Sequence, residues 1–292
     1  MSALAAARAR CRFPTSGTAV TCAVSGGADS LALLVLAVDA GLDVTAVHVD
    51  HGLRDGSAAE ADVVAAAASR LGAAFRAETV EVADGADLEA RARRARHGVL
   101  PPDTLFGHTA DDQAETVLLS LMRGSGLDGL AGMGDERHPI LALRRSETHA
   151  ICDEAQLSPI RDPSNDDPRF RRNRVRHELL PLLDDIAGRD VAALVARGAD
   201  VAAVDVAYLD ALSARIDPTD AEALAEAPVA LARRSVRAWL RTFDPERHPP
   251  DLAAVDRVLE VARGVSVATQ VGGGVEIRRS RQRLAARFLP RG

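Results

Sequence analysis

The residues best suited to chemistry begin with Ser25-Gly26-Gly27-Ala28-Asp29-Ser30, set between the apolar runs Ala19–Val24 and Leu31–Ala40. A small-residue turn between a buried strand and a helix presents successive backbone N–H groups at the positive end of the helix dipole, which makes an anion cradle. Gly26 and Gly27 permit positive φ and close approach of a phosphate, while Ser25 and Ser30 add hydroxyl donors. Asp29 inside an anion site would repel the ligand unless it also holds a cation, so Mg²⁺ is implied. All 36 basic residues are arginine. With no lysine there is neither a Walker-type phosphate lysine nor a Schiff base, and phosphate chemistry rests on backbone N–H groups, arginine and metal.

Three further clusters carry polar chemistry. His108, Asp112 and Glu115 are spaced i, i+4, i+7 and share one helical face, suited to Mg²⁺ or to a cationic amine. Beside them Asp111 serves the helix dipole and Thr109 the cap. His48 and His51 sit in the string His48-Val49-Asp50-His51-Gly52-Leu53-Arg54 at the end of a second strand, where they can reach a nucleotide in the cradle. On the Arg-studded helix Asp87–Val99, Arg91 and Arg94 read as a solvated face, whereas Arg93 and Arg96 can turn inward to phosphates. Residues 160–176 hold six Arg against three Asp, with Arg171, Arg172, Arg174 and Arg176 around Asn173. That density, in a half-chain that is otherwise acidic, points to a polyanion gripped by guanidinium forks.

The elements that must position these residues alternate in type. Strands at Ala19–Val24, Val44–Val49, Phe75–Val82 and Thr104–Gly107 interleave with helices at Leu31–Ala40, Ser57–Leu71, Asp87–Val99 and Ala110–Met122. This order predicts an α/β fold, a mostly parallel sheet flanked by helices, with ligands bound beyond the carboxyl ends of its strands. The Gly-rich stretch 123–139 reads as a mobile flap. Helices at Arg145–Ala155 and Phe170–Leu183 follow. The expected division is a catalytic domain over 1–188 and a smaller, mostly helical domain over 189–292 that ends in a short hairpin around Gly272-Gly273-Gly274.

Composition narrows the classes. An apolar fraction of 47% suits a globular core, and 3% aromatic residues argues against binding single strands mainly by base stacking. No apolar run is long enough for a membrane span and the first residues are too charged for a signal peptide, so a cytoplasmic protein is expected. Cys11, Cys22 and Cys152 lack Cys-x-x-Cys spacing. The net charge of -6 gives no hint of nucleic acid by itself, but residues 1–185 hold 20 Arg against 28 acidic residues and the remainder 16 against 14.

SGGADS resembles the signature of the PP-loop ATP pyrophosphatases, which cut ATP between its α- and β-phosphates. Within that superfamily the chain resembles the tRNA(Ile)-lysidine synthases. The likeness is carried by the strand end His48–Arg54, by Glu89 with Arg93 and Arg96, and by the helix His108–Thr116. It extends to the flap Arg123–Met133 and to Asp162, Ser164, Asn165, Asp167, Arg172-Asn173-Arg174-Val175-Arg176 and Leu180-Pro181. The resemblance implies that ATP·Mg²⁺ adenylates the wobble cytidine in the CAU anticodon of tRNA(Ile), after which the ε-amine of L-lysine displaces AMP to give lysidine. It assigns Ser25–Ser30 to the phosphates, Asp29 and Asp112 to the metal, Glu115 to the lysine amine and Arg93 and His108 to the adenylate or the leaving AMP. Arg172, Asn173, Arg174 and Arg176 are assigned to tRNA, and a homodimer is compatible with the family. His97 stands where many members carry Tyr, and beyond about residue 190 little matches residue by residue; the extra C-terminal domain of longer members is expected to be absent. A sulfur-transferring relative would need reactive or cluster-binding cysteines, and a non-catalytic module would have little need of Asp29, Asp112 and Glu115 together.

Overall fold

The structure is a computed structural model that describes residues 2–50, 57–80, 91, 95, 98–244 and 250–289, with backbone alone at 57–59 and 164. His51, Arg93, Arg96 and Glu89 lie outside the described residues, as does most of the helix expected over Asp87–Val99. The chain divides into two compact units, Met1–Ala203 and Val204–Gly292.

In the first unit, helix α1 (Ala3–Arg8) precedes a four-stranded sheet built from β1 (Ala19–Ala23), β2 (Asp43–Asp50), β3 (Ala74–Thr79) and β4 (Leu105–Phe106). Its order is β3-β2-β1-β4, and every neighbouring pair is parallel. Helix α2 (Ala28–Asp39) connects β1 to β2, and α3 (Ser57–Leu71) connects β2 to β3. The chain thus grows outward from β1 in one direction and returns to place β4 on the other side. That reversal opens a crevice at the carboxyl ends of β1 and β4, the position where open α/β sheets bind ligands. The α2 sequence is apolar all round because it is covered all round: Leu31, Leu33, Leu34 and Leu36 are completely buried against the sheet and the later helix Arg145–Glu154.

After β4 come α4 (Ala110–Met122), the short α5 (Leu127–Leu130), a 3₁₀ turn at Asp135–Arg137, and α6 (Arg145–Glu154). The stretch expected to be a mobile flap is tied to α4 instead. The buried Gln113 amide donates to the Met133 carbonyl at 3.0 Å, and its oxygen accepts from the Met133 N–H at 2.8 Å. Helix α7 (Arg171–Arg174) runs through a π-helical turn at Val175–Leu179 into α8 (Leu180–Ala187). Pro181 accounts for the wider turn, since its ring would clash with the carbonyl four residues earlier in a regular helix. Helix α9 (Val191–Ser213) follows.

The second unit holds α10 (Ala221–Glu226), α11 (Val229–Arg241), α12 (Leu252–Ala262), β5 (Ala268–Val271), β6 (Val275–Ser280) and β7 (Arg283–Phe288). Leu224, Val236, Val255, Val258, Ile277 and Leu284 form its core. The expected terminal hairpin is in fact a three-stranded antiparallel sheet in the order β5-β6-β7. The third strand was hidden because its two-residue turn, Arg281-Gln282, has neither Asn nor Gly; Arg281 takes the positive φ of 55° itself. Arg279 supports that turn by donating to the Arg281 carbonyl at 2.8 Å and to the Gln282 side chain at 2.7 Å.

Candidate active site

The cradle follows β1. The Val24 N–H donates to Val47 O at 2.9 Å, holding the strand until the turn begins. Gly26 has φ of +86°, a left-handed conformation, and a Cβ there would lie 2.9 Å from the Ile160 side chain. Gly27 caps α2, so Ala28, Asp29 and Ser30 form its first turn, whose N–H groups have no acceptor within the helix. The Ser30 hydroxyl accepts from the Ser25 N–H at 3.1 Å and donates to Gly27 O at 2.9 Å, closing the loop on itself. His48 braces the same corner. Its Nδ1 lies 3.0 Å from the Val24 carbonyl, which can only accept, so Nδ1 carries the proton; Nε2 is buried and has no hydrogen-bond partner among the described residues.

The second wall follows β4. Gly107 lies against the first turn of α2, and a Cβ there would come within 2.6 Å of the Asp29 carbonyl oxygen and 2.9 Å of Ser30 Cα. Only glycine lets the two loops touch. His108 comes next, with its Nδ1 3.0 Å from Nδ1 of His138, and both rings lie near Phe106. Thr109 caps α4, and Asp112 Oδ2 accepts from its N–H at 2.9 Å and its hydroxyl at 3.0 Å.

Between these walls three carboxylates meet three guanidinium groups. Glu115, completely buried, accepts from Arg172 Nε at 2.6 Å and from Arg176 Nε at 2.7 Å. Asp112 Oδ1 accepts from Arg172 at 3.2 Å and from Arg145 at 3.1 Å. Arg145 also reaches Asp29 Oδ2 at 3.4 Å and Glu115 Oε1 at 3.5 Å, and the Thr148 hydroxyl donates to Asp29 Oδ1. The charges cancel: Asp29, Asp112 and Glu115 against Arg145, Arg172 and Arg176. Burial, together with the Asp112 charge, pushes the Asp29 carboxyl above its ordinary range despite Thr148 and Arg145. For Asp112 burial also pulls upward, but Arg172, Arg145, His108 and the Thr109 N–H outweigh it and hold the carboxyl below the ordinary range.

The structure brings Asp29, Asp112, Glu115 and His108 to one crevice, as their spacing suggested. It alters the reading of the Arg-rich stretch. Arg172 and Arg176, four apart on a helix, share the face turned to α4 and serve the carboxylates, not the solvent. Asn173 is buried and donates to Asp167 O at 2.9 Å. Of the four residues expected to face tRNA only Arg174 is exposed, beside the equally exposed Arg169 and Arg171. Arg145 and Thr148 escaped the sequence reading; their only signal is an Arg-x-x-Thr string opening a helix, which has no chemical signature until α6 packs on α2. Asp111 is structural, as its place in the first turn of α4 suggested. It forks onto Arg144 at 2.8 and 3.1 Å and accepts from the Arg145 N–H at 2.8 Å.

The oxygen donors of Asp29 and Asp112 suit a hard divalent cation. Among the described residues no three such side chains are already spaced as metal ligands. The cation now among them is the Arg145 guanidinium. Burial disfavours the thiolate form of all three cysteines, pushing Cys11 up to about 11 and Cys22 and Cys152 up to about 12.

Comparison with known proteins agrees with this geometry. Residues 5–183 match the PP-loop domain family and residues 220–285 the TilS substrate binding domain. A tRNA(Ile)-lysidine synthase of Nocardia farcinica is 43% identical over 281 residues, covering 90% of this chain and 88% of that protein. One of Rhodococcus erythropolis is 43% identical over 274 residues, covering 87% and 84%. In fold, the chain is similar to the U34-tRNA thiolase NcsA of Methanococcus maripaludis, solved with its 4Fe–4S cluster, at a TM-score of 0.54 and 15% identity over 68% of this chain and 77% of that one. With a PP-loop domain in front, a TilS domain behind and relatives matched along most of their length, the chain belongs to the tRNA(Ile)-lysidine synthase family of ATP-using enzymes.

Proposed function

We propose that the protein is a C–N bond-forming ligase of the cytoplasm that adenylates the wobble cytidine in the CAU anticodon of tRNA(Ile) and then joins L-lysine to it, releasing pyrophosphate and AMP. The observation that carries this reading is the contact of two loops, Ser25–Ser30 and Gly107–Asp112, at the point where the strand order reverses. One loop is built for polyphosphate and the other brings carboxylates.

In this reading the N–H groups of the first turn of α2 and the hydroxyls of Ser25 and Ser30 receive the phosphates, with His48 and His51 beside the nucleotide. Fixed donors of this kind stabilise charge as it develops on a leaving group. Asp29 and Asp112 hold Mg²⁺, which when bound neutralises phosphate charge and draws electrons from the bond that breaks. His108 and Arg93 attend the α-phosphate side, where the adenylate forms and AMP departs. Glu115 supplies negative charge for the incoming ammonium; of its three guanidinium partners Arg145 is the most distant and the one an amine would replace. Arg172 and Arg176 hold Glu115 and Asp112 in place. Contact with the tRNA falls to Arg174 and its exposed neighbours.

The test uses the protein, ATP, Mg²⁺, labelled lysine and tRNA(Ile) transcripts. Label should enter RNA that carries CAU and not a transcript with a changed anticodon. Absence of label from the CAU transcript, or equal labelling of both, would overturn the assignment. Sulfur transfer is disfavoured by the three thiols, two buried and one half-buried, all with raised pKa.

A further inference from the structure

We propose that Arg145 is a stand-in cation: its guanidinium closes the space between Asp29, Asp112 and Glu115, and a divalent ion enters there only when that guanidinium withdraws. The inference rests on the assignment of Asp29 and Asp112 to Mg²⁺.

Geometry distinguishes Arg145 from the arginines around it. Arg172 and Arg176 grip Glu115 at 2.6 and 2.7 Å, and Arg144 forks onto Asp111 at 2.8 and 3.1 Å. Arg145 instead stands 3.4, 3.1 and 3.5 Å from three carboxylates drawn from two helices and forks onto none. It occupies the centre of their negative charge, the position a compact ion would take, but a planar guanidinium cannot satisfy all three at once. Short or forked bonds hold the other arginines in place. Arg145 is held by single, mostly longer bonds spread over three carboxylates, a set that another cation can take over.

The backbone beneath it is built to stay while the side chain moves. The Arg145 N–H is fixed by Asp111 Oδ2 at 2.8 Å, and Arg144 is clamped to the same carboxylate. Thr148, one turn along α6, holds Asp29 from the same helix. A quarter of the Arg145 side chain is still exposed, so the guanidinium has a way out. A polyphosphate in the neighbouring loop carries more charge than the three carboxylates and offers fork-shaped acceptors, which guanidinium groups prefer. Arrival of nucleotide would therefore both attract Arg145 and expose the oxygens that bind the metal. Without nucleotide, the internal ion pair keeps divalent ions out.

The experiment measures Mn²⁺ binding to nucleotide-free protein by electron paramagnetic resonance. A unit charge within about 4–6 Å shifts a charged site's equilibrium by roughly one to three powers of ten, so Arg145→Ala should bind Mn²⁺ at least about tenfold more tightly than wild type. Adding Asp29→Asn to that variant should abolish the gain. Arg145→Gln keeps a hydrogen-bonding amide without the charge; should Arg145→Ala not fold, the rise in Tm of Arg145→Gln on adding Mn²⁺ should exceed that of wild type. Equal Mn²⁺ affinity in wild type and the Arg145 variants, or a gain that survives Asp29→Asn, would overturn the proposal while leaving the metal assignment standing. Failure of wild type to bind Mn²⁺ in an Asp29-dependent way even with a non-hydrolysable ATP analogue would sink the metal assignment itself, and the proposal with it.

Discussion

Arginine and carboxylate build two very different regions of this molecule. In the first unit Arg145, Arg172 and Arg176 interlock with Asp29, Asp112 and Glu115, and most of these charges have two or more partners. In the second unit Arg233 forks onto Asp256 at 2.7 and 2.9 Å, a shorter and better-shaped pair than several of the inner ones. Yet both of its side chains are about 40% exposed, and water can replace either partner. Bond length therefore does not rank these contacts. What ranks them is the cost of leaving a charge unpaired, which is large in the interior and small where solvent is at hand. The glycines repeat the lesson: Gly107 is wedged against the backbone of Asp29, while a Cβ on Gly272, in a run of three, would meet nothing within 4 Å among the described residues.

The strongest way to break this comparison is Glu115→Ala. It leaves Arg172 and Arg176 buried without their carboxylate and should cost about 3–5 kcal/mol of stability in urea denaturation. A loss no greater than that of a surface pair would mean that water enters the cluster freely. The milder Glu115→Gln should spare tRNA-dependent pyrophosphate release and raise the lysine concentration needed for turnover; equal loss of both steps would remove Glu115 from the amine's path.

Gly107→Ala comes next. The added methyl group meets backbone and not a flexible side chain, so the two loops must part, at a cost of about 1–3 kcal/mol typical of overpacking. ATP affinity should fall with it. Gly272→Ala is the counterpart, and its Tm should match wild type.

The third prediction concerns pH. Asp29 has a raised carboxyl, so in the folded state its ionised form is disfavoured, and it weakens folding at neutral pH. Asp29→Asn should therefore raise Tm at pH 7 while abolishing pyrophosphate release. The gain should fade as the pH falls through the raised Asp29 value, where the native carboxyl takes up its proton. Asp111 and Asp112 have the opposite sign. Burial raises both, but the Arg144 and Arg145 contacts of Asp111 and the Arg172 and Arg145 charges on Asp112 bring them below the ordinary range. Their contribution is complete above the ordinary Asp pKa and is lost as pH falls through the lowered folded values. A Tm-against-pH series in which Asp29→Asn and wild type run parallel would contradict the assignment of the upward shift to Asp29. The smallest effect is expected for Asp256→Ala, whose Tm should be indistinguishable from wild type.

Much of the catalytic half was legible in the amino-acid sequence. The helices Ser57–Leu71 and Ala110–Met122 have the bounds their patterns suggested, because apolar period, caps and glycine breaks are local signals. The strand Arg283–Phe288 was not legible, since its turn uses Arg281 where Asn or Gly would have announced it. The Arg-rich stretch 169–176 was legible as charge but not as direction. A solvated face and a face turned to buried carboxylates have the same composition, and only the packing of α7 on α4 separates Arg172 and Arg176 from Arg171 and Arg174.

By itself, then, the sequence determined what is local: a phosphate cradle that must work without lysine, a helical face bearing Asp112 and Glu115, and an α/β order that puts both at strand ends. Tertiary structure alone decided which charges meet. Asp29 and Arg145 are separated by more than a hundred residues, and no periodicity links them. Their contact exists because the buried α2 needs a second apolar wall, and α6, which supplies it with Ile151 and Cys152, brings Arg145 and Thr148 to the mouth of the cradle.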